Sequence, residues 1–210
     1  MHKKELTLQT CNKVALAYQE KFMNVNLYQD TYDLFCQKIN NEHARILEIG
    51  CGPGNITKYL LAKHPTYQIH AIDYAEEMIT LAKKNNPTAH FETMDCTQIN
   101  SLTSRFDAIL CGFCMPYLSK KEVVQLMADC HGLLNKNGIL YCSTMEGDYS
   151  QSKFETGSTG DKAYVYYYTE MDVHQYLLKN NFMDITLQHK QYEKANGNVS
   201  SEMIFIASKK

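Results

Sequence analysis

Residues 45–55, reading R-I-L-E-I-G-C-G-P-G-N, constrain the fold of this chain more than any other stretch. A short apolar run (Ile46, Leu47, Ile49), interrupted by Glu48, gives way to three glycines in five residues, Gly50, Gly52 and Gly54. A run of that kind reads as a buried strand. A cluster of glycines reads as a turn with positive φ, or as backbone approached closely by a ligand. Asn55 is a favourable N-cap, so a helix is expected from Ile56 onward. A buried strand, a glycine turn and a helix whose N-terminus faces back onto the turn form a cofactor cradle.

The remaining chain fits around that cradle. Residues 5–40 carry apolar side chains at helical spacing, first Val14, Ala17, Tyr18 and Phe22, then Tyr28, Tyr32, Phe35 and Ile39, with a break at 24–26. Strands are expected at 68–73, 89–94, 106–112 and 139–143, alternating with helices at 56–63, 75–84 and 119–134. Ser119 and Glu122 open the last of these as a capping box. Residues 145–162 are polar, contain glycine and have no period, so a long structureless loop is expected there. A short strand at 164–168, a helix from Thr169 to Lys179 and two strands at 182–192 and 201–208 follow, the last two joined by a turn at 195–198. The expectation is an α/β fold: a seven-stranded, mostly parallel, doubly wound sheet closed by an antiparallel C-terminal hairpin, with an N-terminal helical cap. The division expected is residues 1–40 as cap or lid and 41–210 as the Rossmann-like domain.

Charge excludes several classes. Lys and Arg number 21 against 23 Asp and Glu, a net charge of −2. A nucleic-acid or membrane-surface partner calls for a basic excess, so neither is expected. No apolar run approaches the roughly 20 residues that cross a bilayer, and Met1-His2-Lys3-Lys4 is not followed by the apolar core of a signal peptide. The eight cysteines are scattered, several inside apolar runs, as for free thiols in a reducing, cytoplasmic compartment. Cys111-x-x-Cys114 lacks the second pair or spaced histidine of a zinc site and reads as core and pocket cysteine. No metal is expected.

Three acids stand at successive strand ends on the cradle side: Glu48, Asp73 and Asp95. In an open α/β sheet, ligands bind outside the carboxyl ends of the strands. Gly50 and Gly52 would let backbone approach a ligand. Asp73 is placed to accept from two ribose hydroxyls, each charge-assisted bond contributing about 1.5–3 kcal/mol. Asp95 could accept from an exocyclic amino group and so read adenine. The combination points to a nucleoside-containing cofactor.

The glycine spacing departs from the dinucleotide fingerprint G-x-G-x-x-G. Together with E-I-G-C-G-P-G (48–54), I-D-Y-A-E-E-M-I (72–79), M-D-C (94–96) and F-D-A-I-L-C-G-F (106–113), it resembles the class I S-adenosylmethionine-dependent methyltransferases of the seven-stranded, small-molecule type. That resemblance implies S-adenosyl-L-methionine as cofactor and a small-molecule methyl acceptor. It implies that the 50–54 turn, with Cys51 inside it and Glu48 behind it, holds the methionine moiety. Asp73 would take the ribose, Tyr74 would lie beside the adenine, Asp95 and the Cys96 backbone would read the adenine edge, and the Cys111 backbone would meet the ammonium. Residues 112–117, G-F-C-M-P-Y, depart from the Asn/Asp-Pro-Pro-Tyr/Phe box of the amino-methylating branches. The acceptor pocket is expected under the N-terminal helices, the 113–117 segment and the 145–168 loop, with Tyr18, Tyr28, Tyr117 and Tyr166 as its candidates. No catalytic base stands out. The alternatives are a non-catalytic cofactor-binding protein and, further off, an NAD-dependent dehydrogenase.

Overall fold

The structure is a computed structural model that describes residues 3–193, 197 and 199–210. Apart from Gly197, the expected turn at 195–198 lies outside the described residues.

The apolar run before the glycines forms β1 (Arg45–Ile49), whose last four residues are all buried. It pairs in parallel with β2 (Gln68–Asp73) on one side and β4 (Phe106–Cys111) on the other. Outward from these lie β3 (His90–Thr93), parallel to β2, and β5 (Leu134–Met145), parallel to β4. The chain then closes with two antiparallel strands, β8 (Phe182–Glu193) and β9 (Val199–Lys209). The sheet order is β3-β2-β1-β4-β5-β9-β8, seven strands with the order reversing between β1 and β4. That is the expected fold, and its topological switch point lies at the carboxyl ends of β1 and β4.

Helices cover both faces, because strands buried on two sides need two apolar layers. On one face Leu47, Ile49, Ile72 and Ile109 pack with Val123, Leu126 and Met127 of α5 (Lys120–Leu133) and with Val173 and Leu177 of α6 (Glu170–Lys179). On the other, Ile46, Ala108 and Leu110 meet Tyr32 and Phe35 of α2 (Gln29–Gln37), Leu60 of α3 (Asn55–Lys63) and Ile79 of α4 (Glu76–Asn85). Glu122 caps α5 as expected, its carboxylate accepting from the Ser119 N–H at 2.8 Å and hydroxyl at 2.6 Å.

Three local expectations are corrected. Asn55 is not the N-cap of α3: Gly54 takes that position with left-handed φ of 80°, and the Asn55 amide instead donates to the Phe22 carbonyl at 3.2 Å. The fifth strand starts at Leu134, directly after α5, with Asn137 in the left-handed region (φ 60°) inside it. Residues 145–162 are not structureless. A short 3-10 turn, Tyr149–Gln151, leads into β6 (Lys153–Thr156), which pairs antiparallel with β7 (Lys162–Val165). Lone apolar residues such as Phe154, packed edge-on against Tyr164, hold this flap, so it gives no period to read.

The long helix α1 (Lys3–Phe22) lies across the flap and α4. Thr10 donates to the Lys162 carbonyl at 2.7 Å, the Thr7 hydroxyl accepts from the Tyr164 N–H at 3.1 Å, and Lys13 meets Asp161 at 2.6 Å. On its other side the Glu77 N–H donates to Asn12 at 3.0 Å, and Asn85 donates to Gln19 at 2.7 Å. No helix among the described residues is long and apolar enough to cross a membrane.

Candidate functional site

At the switch point β1 ends in the glycine turn. Gly50, Gly52 and Gly54 all have left-handed φ, 70°, 54° and 80°. The requirement is sharpest at Gly54, where a Cβ would collide with Asn86 Nδ2, itself donating to the Gly54 carbonyl at 2.9 Å. The turn is tied to β2 by the Gly50 and Cys51 N–H groups, which donate to the Ile72 carbonyl at 2.8 and 3.0 Å.

The three acids occupy different environments. Glu48 is fully buried beneath the turn, where Thr57 of α3 donates to its Oε2 at 2.5 Å while Oε1 has no partner among the described residues. Burial pushes its carboxyl up to about 8. Asp73 accepts from the Gly52 N–H at 2.9 Å and from the Ala75 N–H at 2.8 Å, so it clasps the turn from the next strand. Burial raises its pKa, and these backbone donors oppose the rise. The carboxylate keeps acceptor capacity for a further donor. Asp95 accepts at Oδ1 from the N–H and hydroxyl of Thr97, at 3.0 and 2.8 Å, and at Oδ2 from Lys4 of α1 at 2.6 Å. Burial works against its ionisation, but the Lys4 ammonium and Thr97 outweigh it and hold the carboxyl below its usual range.

The other expected residues divide into groups. Cys51 is buried within the turn, and Cys111, at the end of β4, stands in register with Ile49. Cys96 follows Asp95, and its sulfur lies 3.7 Å from that of Cys114. Hydrogen bonding among these thiols, with burial, pushes Cys96 and Cys114 well up, so they stay protonated. Tyr74 is exposed beside the cradle with the Lys4 ammonium 5.6 Å from its ring centroid. Tyr18, on α1, lies over Gly52 and packs against Phe22 with centroids 4.6 Å apart. Tyr117 and Tyr166 are brought together in a cavity of ≈ 390 Å³ with Lys3, Lys4, Thr7, Glu122 and Tyr164. Tyr28 is not with them. It donates to Glu202 at 2.5 Å and packs on Phe113 with centroids 5.1 Å apart.

Two features of the site were not anticipated. One is Lys4, whose approach to Asp95 depends on α1 folding back over the sheet edge. The other is the backbone conformation of Phe113, at the head of the expected 113–117 pocket segment: it is a non-glycine residue at φ 54°, whose N–H donates to Ser143 at 2.8 Å just beyond β4. A positive φ at a bulky residue is uncommon and marks a backbone held for a reason. Neither leaves a signal in local sequence.

A nucleoside sulfonium fits this donor set. The turn offers bare backbone at its three glycines, two carboxylates stand at adjacent strand ends, and no cluster of cations suited to a pyrophosphate faces the turn among the described residues.

Comparisons with known proteins follow the same line. Over 102 residues the chain is 37% identical to the malonyl-[acyl-carrier protein] O-methyltransferase of Bacillus cytotoxicus, covering 48% of this chain and 35% of that protein. Over 54 residues it is 41% identical to the trans-aconitate 2-methyltransferase of Variovorax paradoxus, covering 26% of this chain and 21% of that protein. The matches thus span about a fifth to a third of these relatives' length. Among solved structures, the magnesium protoporphyrin IX methyltransferase of Synechocystis with bound SAH shares the fold over 100% of both chains, with a TM-score of 0.75 at 15% identity. Residues 46–138 match the model of a methyltransferase domain, and over that stretch and in its seven-stranded sheet the chain is similar to the class I S-adenosylmethionine-dependent methyltransferases.

Proposed function

We propose that this chain transfers a methyl group from S-adenosyl-L-methionine to a small-molecule acceptor. The observation that carries the reading is the clasp between Asp73 and the Gly52 N–H. It fixes a turn bared of side chains at its three glycines beside a carboxylate that retains acceptor capacity for ribose hydroxyls. On this reading the turn 50–54 and the backbone at Cys111 hold the methionine end, Asp73 the ribose, and Tyr74, Asp95 and Cys96 the adenine. When bound, the cofactor supplies an electrophilic methyl group on a sulfonium.

The chain's own contribution is alignment and exclusion of water. Tyr117 and Tyr166 wall the adjacent cavity together with Lys3, Lys4 and Glu122, and two ammonium groups against one carboxylate support an acceptor carrying negative charge. The relatives named for malonyl-[acyl-carrier protein] and trans-aconitate favour the same class. Tyr18 stands over the turn and shields it, while Tyr28 supports Phe113 from behind. The eight free thiols support a reducing, cytoplasmic setting.

Calorimetric titration tests the reading. S-adenosylmethionine and its demethylated product are expected to bind in the micromolar range. Asp73→Ala is expected to weaken both by roughly tenfold or more, about 1.4 kcal/mol, with the variant's melting curve checked for folding. Heat with NADH and none with either sulfur ligand would overturn it in favour of a dehydrogenase. A methyl-labelled cofactor incubated with fractionated small-molecule extract then identifies the acceptor. Incorporation into RNA or DNA alone would refute the small-molecule assignment.

A further inference from the structure

On one face of β2 and β3, ahead of the strand ends that carry the cradle acids, three side chains of metal-ligand type converge. His70 and His90 stand directly opposite one another in the parallel register, and Glu92 is paired with Ile72, two residues along from His70 on the same face. The imidazole rings meet edge to face with centroids 4.6 Å apart. Nε2 of His70 lies 3.2 Å from a Glu92 carboxylate oxygen, and one ligand atom from each of the three residues falls within 4.8 Å of the others. His70 is partly buried and His90 is exposed, so the cluster has a fixed floor and an open side.

We propose that His70, His90 and Glu92 form a binding site for a divalent transition cation of the zinc type. A tetrahedral zinc ion with bonds of about 2.0–2.2 Å sets its ligand atoms about 3.3 Å apart. The His70–Glu92 separation already matches that spacing, and His90, exposed on the edge strand, brings a ring nitrogen within 4.8 Å of both. Two imidazoles and one carboxylate suit zinc, cobalt or nickel, whereas magnesium and calcium call for oxygen ligands. The fourth position faces solvent and would carry water. Arg45 approaches the same recess, but its guanidinium is held over the Phe106 ring, 5.8 Å from the centroid.

The site would act on the sheet edge. The strand β3 is only four residues long and is the outermost strand on its side. A shared ion would fasten it to β2. His70 and Glu92 stand three residues before Asp73 and Asp95 respectively, so the ion would brace both strands that end in the cradle acids. This role does not depend on methyl transfer.

The experiment is calorimetric titration of the metal-free full chain with zinc chloride, paired with the visible spectrum of the cobalt form. Wild type is expected to bind one zinc per chain at this site. His90→Ala and Glu92→Gln, both at solvent-accessible positions, are expected to weaken binding by roughly tenfold or more, while His131→Ala, outside the cluster, leaves it unchanged. The cobalt form should show the d–d bands of a nitrogen and oxygen site without thiolate charge transfer. Absence of zinc binding, equal affinity in His90→Ala, or a thiolate band reporting capture by the cysteines would each overturn the proposal.

Discussion

Thr57 supplies a hydroxyl to one oxygen of the fully buried Glu48, while the other has no partner among the described residues. An ionised carboxylate there has lost its water and recovered one hydrogen bond, which is why burial pushes it up to about 8. In the unfolded chain the same group titrates near 4.3. Between those values the folded protein holds a proton that the unfolded chain has released. Stability from the neutral form is therefore complete below about pH 4 and is lost as pH rises toward 8, at about 1.4 kcal/mol per pH unit. Glu48→Gln keeps an acceptor for Thr57 and removes the titration. Its melting temperature should therefore fall less than that of wild type between about pH 5 and pH 8. Parallel curves would show that Glu48 ionises without cost. An acid inside the β1 apolar run was visible in the sequence. Its neutrality was not, because the burial that causes it is complete only once the chain has turned through three glycines and α3 covers the carboxyl.

The pairing of α1 with the sheet edge has a consequence at the scale of elements. Lys4 occupies Asp95, the carboxylate assigned above to the adenine edge, and Asn12, Thr7 and Thr10 fasten the same helix to α4 and the flap. Cofactor binding on the proposed reading must displace Lys4 from Asp95. The pair is partly exposed, with side-chain accessibilities of 30% and 13%, and ion pairs of that kind contribute about 0.5–1 kcal/mol. Lys4→Ala is accordingly expected to tighten S-adenosylmethionine binding about twofold to fivefold. Unchanged or weaker binding by calorimetry would mean that Lys4 closes over the ligand instead of competing with it. Elements with a strong local signature were legible in the sequence: the β1 run, the glycine turn, and α5 with Ser119 and Glu122 at its head. The β6–β7 flap was not, because its strands are four residues each and draw their order from α1, more than 140 residues away in sequence. His70, His90 and Glu92 were likewise invisible as a group, since only the β2–β3 register brings them together.

The antiparallel pair at the end of the chain decides whether the whole sheet is self-sufficient. The matched methyltransferase domain stops at residue 138, inside β5, yet β5 continues to Met145 and pairs with β9 from Ile139 opposite Ser208 to Met145 opposite Glu202. Met203, Ile204, Phe205 and Ile206 of β9 are buried to 1% exposure or less, alternating between the two apolar layers. Burial of a large apolar side chain contributes about 1.5–3 kcal/mol. The four together therefore amount to about 6–12 kcal/mol, comparable with the whole stability of about 5–15 kcal/mol typical of a domain. Without β9, β5 would also become an unprotected edge carrying Tyr141 and Cys142, both fully buried in the intact chain. A chain ending at residue 181 keeps the glycine turn, Asp73 and Asp95 but lacks both closing strands. It is expected to lose cooperative thermal unfolding and near-ultraviolet dichroism while retaining helical far-ultraviolet signal, and to bind no S-adenosylmethionine. A sharp melt with cofactor affinity intact would show instead that five parallel strands and their helices suffice to hold the cradle.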